Sequence, residues 1–182
     1  QPLAEDSAEA AHYLARHEHA MRFARANRAL IARRFADAIG ADARCVSDVA
    51  HNMVTRETLG GEPAWIHRKG AASTREALDC GALMIPGSRG TPSYLVRPLD
   101  ENAEEAAWSL AHGAGRRWQR GYARSRLSHK YRVEDLTRTE LGGRVICEDR
   151  ELIYDEAPQA YKDIAQVIAD LEAANLIATI AV

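Results

Sequence analysis

Four short stretches of this sequence combine residue types that can do chemistry on phosphate. The first is His112-Gly113-Ala114-Gly115-Arg116, which follows Trp108-Ser109-Leu110-Ala111. A histidine followed by small residues keeps its ring accessible and lets a ligand approach the backbone closely. A helix beginning just after Gly115 would aim free N–H groups at the same place and favour a phosphate. Arg116 adds a forked cation suited to phosphate oxygens, and a histidine ring nitrogen can itself be a covalent nucleophile. The same residues equally suit a tight turn with an exposed histidine, and chemistry alone leaves the two readings even.

The second stretch, Pro86-Gly87-Ser88-Arg89-Gly90-Thr91-Pro92-Ser93, follows a short apolar run. Its glycines, hydroxyls and amides suit an anion nest, but no Gly-Lys-Ser/Thr closes it, so it is no Walker loop. Taken alone, an ordinary surface turn is the stronger reading. The third, Asp48-Val49-Ala50-His51-Asn52, offers His51 and Asp48 to a metal such as manganese, zinc or iron. A lone histidine on an apolar strand is more often a satisfied core residue, and His67 carries the same ambiguity. No His-x-x-x-His spacing supports a local zinc site. The fourth, Glu156 to Asp163, opens a helix. Capping and the helix dipole account for its acids and Pro158, while Tyr161 is an aromatic that could stack on a base. His12, His17, His19 and His129 have charged or polar neighbours and read as surface residues.

Elements able to position these residues follow from periodicity and punctuation. Residues Asp6 to Ile39 form one amphipathic helix, with Leu14, Met21, Ala24, Ile31 and Phe35 on one stripe and Tyr13, Ala20 and Leu30 beside it. Gly40 supplies the stop, and Asn27 beside the stripe reads as a hydrogen-bonded core amide. Strand candidates are Val46–Val54, Ala64–His67, Leu83–Ile85, Tyr94–Val96 and Arg144–Cys147, separated by Gly and Pro clusters. A helix is predicted through the arginine-rich stretch after Gly115. Another runs from Pro158 to about Ala173, before a final strand from Leu176 to Val182. Strands and helices mix without βαβ alternation, so the expected class is α+β, with a long N-terminal helix and a C-terminal helix–strand unit.

The chain's 182 residues suffice for one domain with a real core. A 46% apolar, 27% charged composition excludes disorder, and a net charge of -2 gives no global sign of a nucleic-acid partner. Arg116, Arg117, Arg120, Arg124 and Arg126 could still create a local positive field. Cys45, Cys80 and Cys147 form no framework, which points to reduced thiols and a cytoplasmic setting. No signal peptide and no membrane span is recognisable. A start without methionine and an end on an apolar run read as a segment of a longer protein.

Taken in order, these motifs resemble the RtcB family of RNA-splicing ligases. The resemblance rests on His51-Asn52, Arg68-Lys69-Gly70-Ala71, Ile85-Pro86-Gly87-Ser88, Ser93-Tyr94, His112 to Arg116, and Pro158 with Tyr161-Lys162-Asp163. It extends back through Ala26-Asn27-Arg28 in the opening helix. It implies that residues 1–182 are the C-terminal segment of one catalytic domain with part of the RtcB-like fold. The family joins RNA 2′,3′-cyclic phosphate or 3′-phosphate ends to 5′-hydroxyl ends, using GTP and manganese. By that resemblance His112 matches the histidine that becomes guanylylated, Arg116 a phosphate contact, and His51 a manganese ligand. Asn52 matches a residue near the nucleotide. Pro86, Gly87, Ser88 and Ser93 match the turn that holds it, Gly113, Ala114 and Gly115 the backbone around it, and Tyr161 a contact near the base. The family's metal-binding cysteine with its acid, two further histidines and a terminal lysine have no match in this sequence. Trp118 and Gln119 also depart from the common pattern and suggest a divergent subgroup. Two alternatives remain beside the ligase: a non-catalytic RNA-binding relative keeping the fold, and a related nucleotidyl-transfer enzyme acting on another phosphate end.

Overall fold

The computed structural model describes residues 2–182, so Gln1 of the expected segment lies outside the described residues. Helix α1 spans Ala8–Ala38, with Ser7 as N-cap accepting from the Ala10 amide, close to the predicted limits. The stripe meets the body over part of its length. Ala10, Met21 and Ala36 are buried, Leu14 and Ala24 half-buried, while Leu30, Ile31 and Phe35 are exposed. Asn27 is exposed as well, so it is not the buried amide expected from the stripe.

Strands β1 (Asn52–Leu59) and β2 (Glu62–Lys69) form an antiparallel hairpin. Its two-residue turn is Gly60-Gly61, at φ 60° and 83°, the doubly left-handed turn that matches strand twist. The predicted strand from Val46 was displaced. Lys69 pairs with Asn52, β2 ends there, and residues 46–51 find no strand partner. β3 (Ala71–Ser73) leads into α2 (Thr74–Cys80), and β3 pairs antiparallel with β6 (Ser109–Ala111). β4 (Leu83–Ile85), β5 (Tyr94–Pro98) and β7 (Ile177–Ala181) form an antiparallel sheet with β5 central. Helix α5 (Ile164–Ala173) packs on it, burying Ile164 and Ile168 with Ile85, Val96, Leu110 and Ile177 in the main core.

A second, smaller core gathers α3 (Tyr122–Leu127), α4 (Arg150–Asp155) and two 3₁₀ turns, Glu134–Leu136 and Pro158–Ala160. The fold is α+β, as expected, but three further elements differ from the sequence reading. The helix expected after Gly115 starts only at Tyr122, as α3: the Arg117 amide donates to the Ala160 carbonyl and the Lys162 amide to the Gly115 carbonyl, holding Arg116 extended beside Tyr161. The helix opened by Pro158 breaks at Tyr161 for the same reason, and Asp163 caps a new start at Ile164. Residues Arg144–Cys147 make one bridge, Arg144 to Arg138, rather than a strand.

The hairpin is fastened to the rest by a buried ion pair. The Arg68 and Glu57 side chains are 1% and 3% exposed, 3.3 Å apart, and Arg75 donates to the second Glu57 oxygen at 2.6 Å. Burial pushes the Glu57 carboxyl up, but hydrogen bonds from Arg75, Thr55 and Arg68, with the Arg68 charge, outweigh it. They hold the group below its ordinary value of 4.5. The folded carboxylate thus gives up its proton at lower pH than the unfolded one. Its stabilisation is complete above about pH 4.5 and is lost as pH falls through the depressed folded value. Glu57→Gln should lose about 3 kcal/mol at neutral pH, because it strands the buried guanidinium. It should also lose stability less steeply than the native chain below pH 4.5, as read by urea unfolding across the acid range. Parallel acid limbs would contradict this assignment.

Candidate nucleotidyl-transfer site

Strand register brings the site together. Asn52 opposite Lys69 places residue 51 beside residue 70, and Ala71 opposite Ala111 places residue 70 beside residue 112. The contacts follow from that placement. The Gly70 amide donates to the His51 carbonyl at 2.7 Å and to Asn52 Oδ1 at 3.1 Å. The Gly70 carbonyl pairs with His112 Nδ1 at 2.6 Å. The His51 and His112 rings stack with centroids 4.5 Å apart and planes 11° from parallel. One residue, Gly70, therefore organises His51, Asn52 and His112, which are spread over 61 positions of sequence.

A carbonyl can only accept, so Nδ1 of His112 carries the hydrogen. In the neutral ring, Nε2 then holds the free lone pair, the form required of a nucleophile. His51 is held below its ordinary pKa of 6.5, first by desolvation, then by His112 and by Arg28, so it favours the neutral form. Its earlier candidate partner Asp48 accepts from Arg28 at 2.6 Å instead.

The Pro86 loop is laced to the His112 turn. The Ala114 amide donates to the Pro86 carbonyl at 3.0 Å, and a Cβ on Gly113 would lie 2.9 Å from that oxygen. Glycine is required there by close approach. Within the loop, Thr91 Oγ1 accepts from the Ser88 amide at 2.6 Å, Ser88 Oγ accepts from the Gly90 amide at 3.3 Å, and the Ser88 carbonyl accepts from the Thr91 amide at 3.2 Å. These amides are already partnered, so the loop is a braced turn rather than an open nest. Ser93 is exposed just before β5.

Arg116 lies beyond Gly115 with most of its donors committed. It donates to Trp118 O at 3.2 Å, Glu156 Oε1 at 3.2 Å, Tyr161 Oη at 3.2 Å and Asp155 O at 2.6 Å. The Tyr161 hydroxyl in turn donates to Glu156. Burial and then Glu156 raise its pKa, keeping the phenol protonated. Without a helix at Gly115, the anticipated N-terminal amide site is absent, and Arg116 acts in the structure as a brace for Tyr161.

Two residues were not singled out in the sequence. Lys69, exposed, ends β2 opposite Asn52 and adjoins the Gly70 clamp; the Arg68-Lys69-Gly70 motif was the available signal. Arg89 reaches from the Pro86 loop into the second core, donating to Ile153 O at 2.8 Å and Leu136 O at 3.2 Å. Nothing in its surroundings in sequence foretold that reach. His67 meets the Tyr13 hydroxyl at 2.8 Å and takes part in packing α1 on the hairpin. No group of three His, Cys, Asp or Glu side chains able to hold a metal ion occurs among the described residues. The side chains present therefore do not make a metal site by themselves.

Comparison with known proteins gives the family. The sequence model of the family described as "tRNA-splicing ligase RtcB" matches residues 2–182. This chain belongs to the RtcB family. It is 48% identical over 98% of its length to the RNA-splicing ligase RtcB2 of Escherichia coli, covering 46% of that protein. It is 35% identical over 86% of its length to the RNA-splicing ligase RtcB of Mycobacterium tuberculosis, covering 39% of that protein. With the tRNA-splicing ligase RtcB of Methanopyrus kandleri the figures are 32% and 78%, covering 16%. The chain thus spans less than half the length of these relatives. No helix among the described residues is long and apolar enough to cross a membrane, and all three cysteines are free thiols.

Gly70 sits at φ +74°, and a Cβ there would lie 3.3 Å from His112 Cε1, whereas Gly81 at φ +73° has open space. Gly81→Ala isolates the left-handed backbone cost, about 1–2 kcal/mol. Gly70→Ala should exceed it in urea unfolding, because the His112 ring must also give way. Equal losses would show that the ring is not held in place.

Proposed function

We propose that this chain carries the nucleotidyl-transfer half of a GTP-dependent RNA ligase. The parent protein would join RNA 2′,3′-cyclic phosphate or 3′-phosphate ends to 5′-hydroxyl ends through a guanylylated His112. The observation that carries this reading is the His112 Nδ1 contact with the Gly70 carbonyl, which leaves Nε2 free to attack. Membership of the RtcB family, whose relatives are named as RNA-splicing ligases, supports the substrate class.

In the first step Nε2 attacks the α-phosphorus of GTP. An N–P bond forms, a P–O bond breaks, and pyrophosphate leaves. An oxygen of the RNA 3′-phosphate, which a cyclic end yields when water adds to its phosphorus and the P–O2′ bond opens, then attacks the guanylyl phosphorus, the N–P bond breaks, and His112 recovers its lone pair. Finally the RNA 5′-hydroxyl attacks the activated 3′-phosphate, loses its proton, and GMP departs. The sequence of steps supplies a leaving group that a 3′-phosphate lacks.

The braced Pro86-Gly87-Ser88 turn, Ser93, Asn52 and the Gly113-Ala114-Gly115 backbone would line the nucleotide. Tyr161, fixed by Arg116 and Glu156, would flank its base, and the uncommitted N–H of Arg116 would reach a phosphate. Manganese dependence belongs to the proposal, supported by the neutral bias of His51, since neutral imidazole is the metal-binding form. Manganese would supply charge neutralisation at the phosphates. His51 needs partner ligands from outside these residues.

The non-catalytic RNA-binding alternative draws on the arginine cluster, which is largely engaged internally. Arg120 and Arg116 pair with Glu156, Arg124 pairs with Glu151, and Arg126 lies 5.4 Å from the Trp118 ring centre. Incubating the parent protein with manganese and GTP labelled at the α-phosphate should leave label on the native protein and none on His112→Ala. Absence of label from both would overturn the ligase reading and favour the RNA-binding one, testable by Arg120→Ala with Arg124→Ala. A separate titration of manganese into the 182-residue chain should show only weak binding. Tight stoichiometric binding would contradict the need for outside ligands.

A further inference from the structure

Arg68 is buried, and its hydrogen bonds go to neither histidine ring. We propose that Arg68 is a positioning residue for His112, holding both halves of the His112–Gly70 hydrogen bond in one rigid unit. The inference rests on His112 being the nucleophile. Arg68 stands two residues before Gly70 on the strand that supplies the accepting carbonyl. Its guanidinium crosses to the corner that delivers the donor, bonding Trp108 O at 2.8 Å, Ala107 O at 3.3 Å and Ser109 Oγ at 2.9 Å. On its other side it holds Thr55 Oγ1 at 2.5 Å and Glu57 at 3.3 Å on β1. Every guanidinium nitrogen is committed.

The corner needs such a grip. Ala107 and Trp108 have φ of 49° and 51°, two consecutive L residues in the left-handed region. Their carbonyls converge on Arg68, and Ser109 follows at once as the first residue of β6. Three residues after Ser109 comes His112. Loosening the corner would let the Ala71–Ala111 register drift and lengthen the 2.6 Å clamp on Nδ1. A misplaced nucleophile costs rate more than binding, because the Pro86-Gly87-Ser88 turn, Ser93 and Tyr161, which would hold the nucleotide, come from other segments. Lysine cannot replace the fork: one point charge cannot satisfy acceptors arrayed around a plane.

The test uses the full-length parent protein with Arg68→Lys and Ser109→Ala. Guanylylation with labelled GTP gives the rate at saturation and the KM. ¹⁵N-histidine NMR reads which His112 nitrogen is protonated, and circular dichroism gives the folded fraction. Arg68→Lys should lower the saturated rate at least about tenfold per folded molecule, with KM changed less than about threefold. Its His112 signal should shift from a pure Nδ1–H form to a mixture. Ser109→Ala, which leaves the Glu57 pair intact, should lower the rate by roughly twofold to fivefold, and it decides alone if Arg68→Lys does not fold. An unchanged rate in folded variants, a loss matching only the unfolded fraction, or a raised KM with rate intact would each overturn the positioning role. Unlabelled native parent with a disturbed His112 signal in the variant would fail the ligase reading while upholding the positioning. A labelled native parent with an undisturbed variant would do the reverse.

Discussion

The placement of His112 Nδ1 on the Gly70 carbonyl, with His51 stacked beside it, depends on two strand pairings being in register at once. The β1–β2 hairpin brings residue 51 to residue 70, and the β3–β6 pair brings residue 70 to residue 112. A slip of one residue in either ladder would reverse the faces and separate the rings. The left-handed Gly70 is the pivot between the ladders, since its amide serves β1 and its carbonyl serves His112. The rest of the structure works to keep those registers: the Gly60-Gly61 turn for one, the Ala107-Trp108 corner for the other.

The two cores meet at the same place. Tyr161 packs against both, and its hydroxyl is held by Arg116 and Glu156. Arg89 crosses from the Pro86 loop to carbonyls of the smaller core. Arginine is thus used as a multi-point tie between chain segments, in which the planar fork matters as much as the charge. The charges of Glu57, Glu151 and Glu156 are used within the same networks.

Much of the fold was legible because local signals decided it. β4 is Leu83–Ile85 as read, bounded by glycine and proline, and the long helix begins one residue after a serine cap. The family resemblance also brought His51, Asn52, Pro86 and His112 to one list, and the ladders and loop contacts join them. What escaped reading was set by distant partners. The helix drawn after Gly115 and the unbroken one from Pro158 both looked sound by local pattern. The first is delayed to Tyr122 and the second interrupted at Tyr161 by the same bridge between Arg116 and Tyr161, 45 residues apart. The strand drawn from Val46 lacked a partner, which no single segment can announce. No local pattern marks Arg68 and Glu57 as buried charges: their burial depends on a corner some forty residues after Arg68, where neither glycine nor asparagine marks the left-handed turn.

The far half of α1 bears on how this chain behaves in solution. Phe23, Leu30, Ile31, Phe35 and Ile39 present between 45% and 69% of their surface along one helix of 31 residues. An apolar ridge of that kind is colloidally sticky, because covering it releases structured water whatever does the covering. Handled as these residues alone, the chain should therefore show solubility that falls with rising salt and temperature, driven by the outer face of this helix.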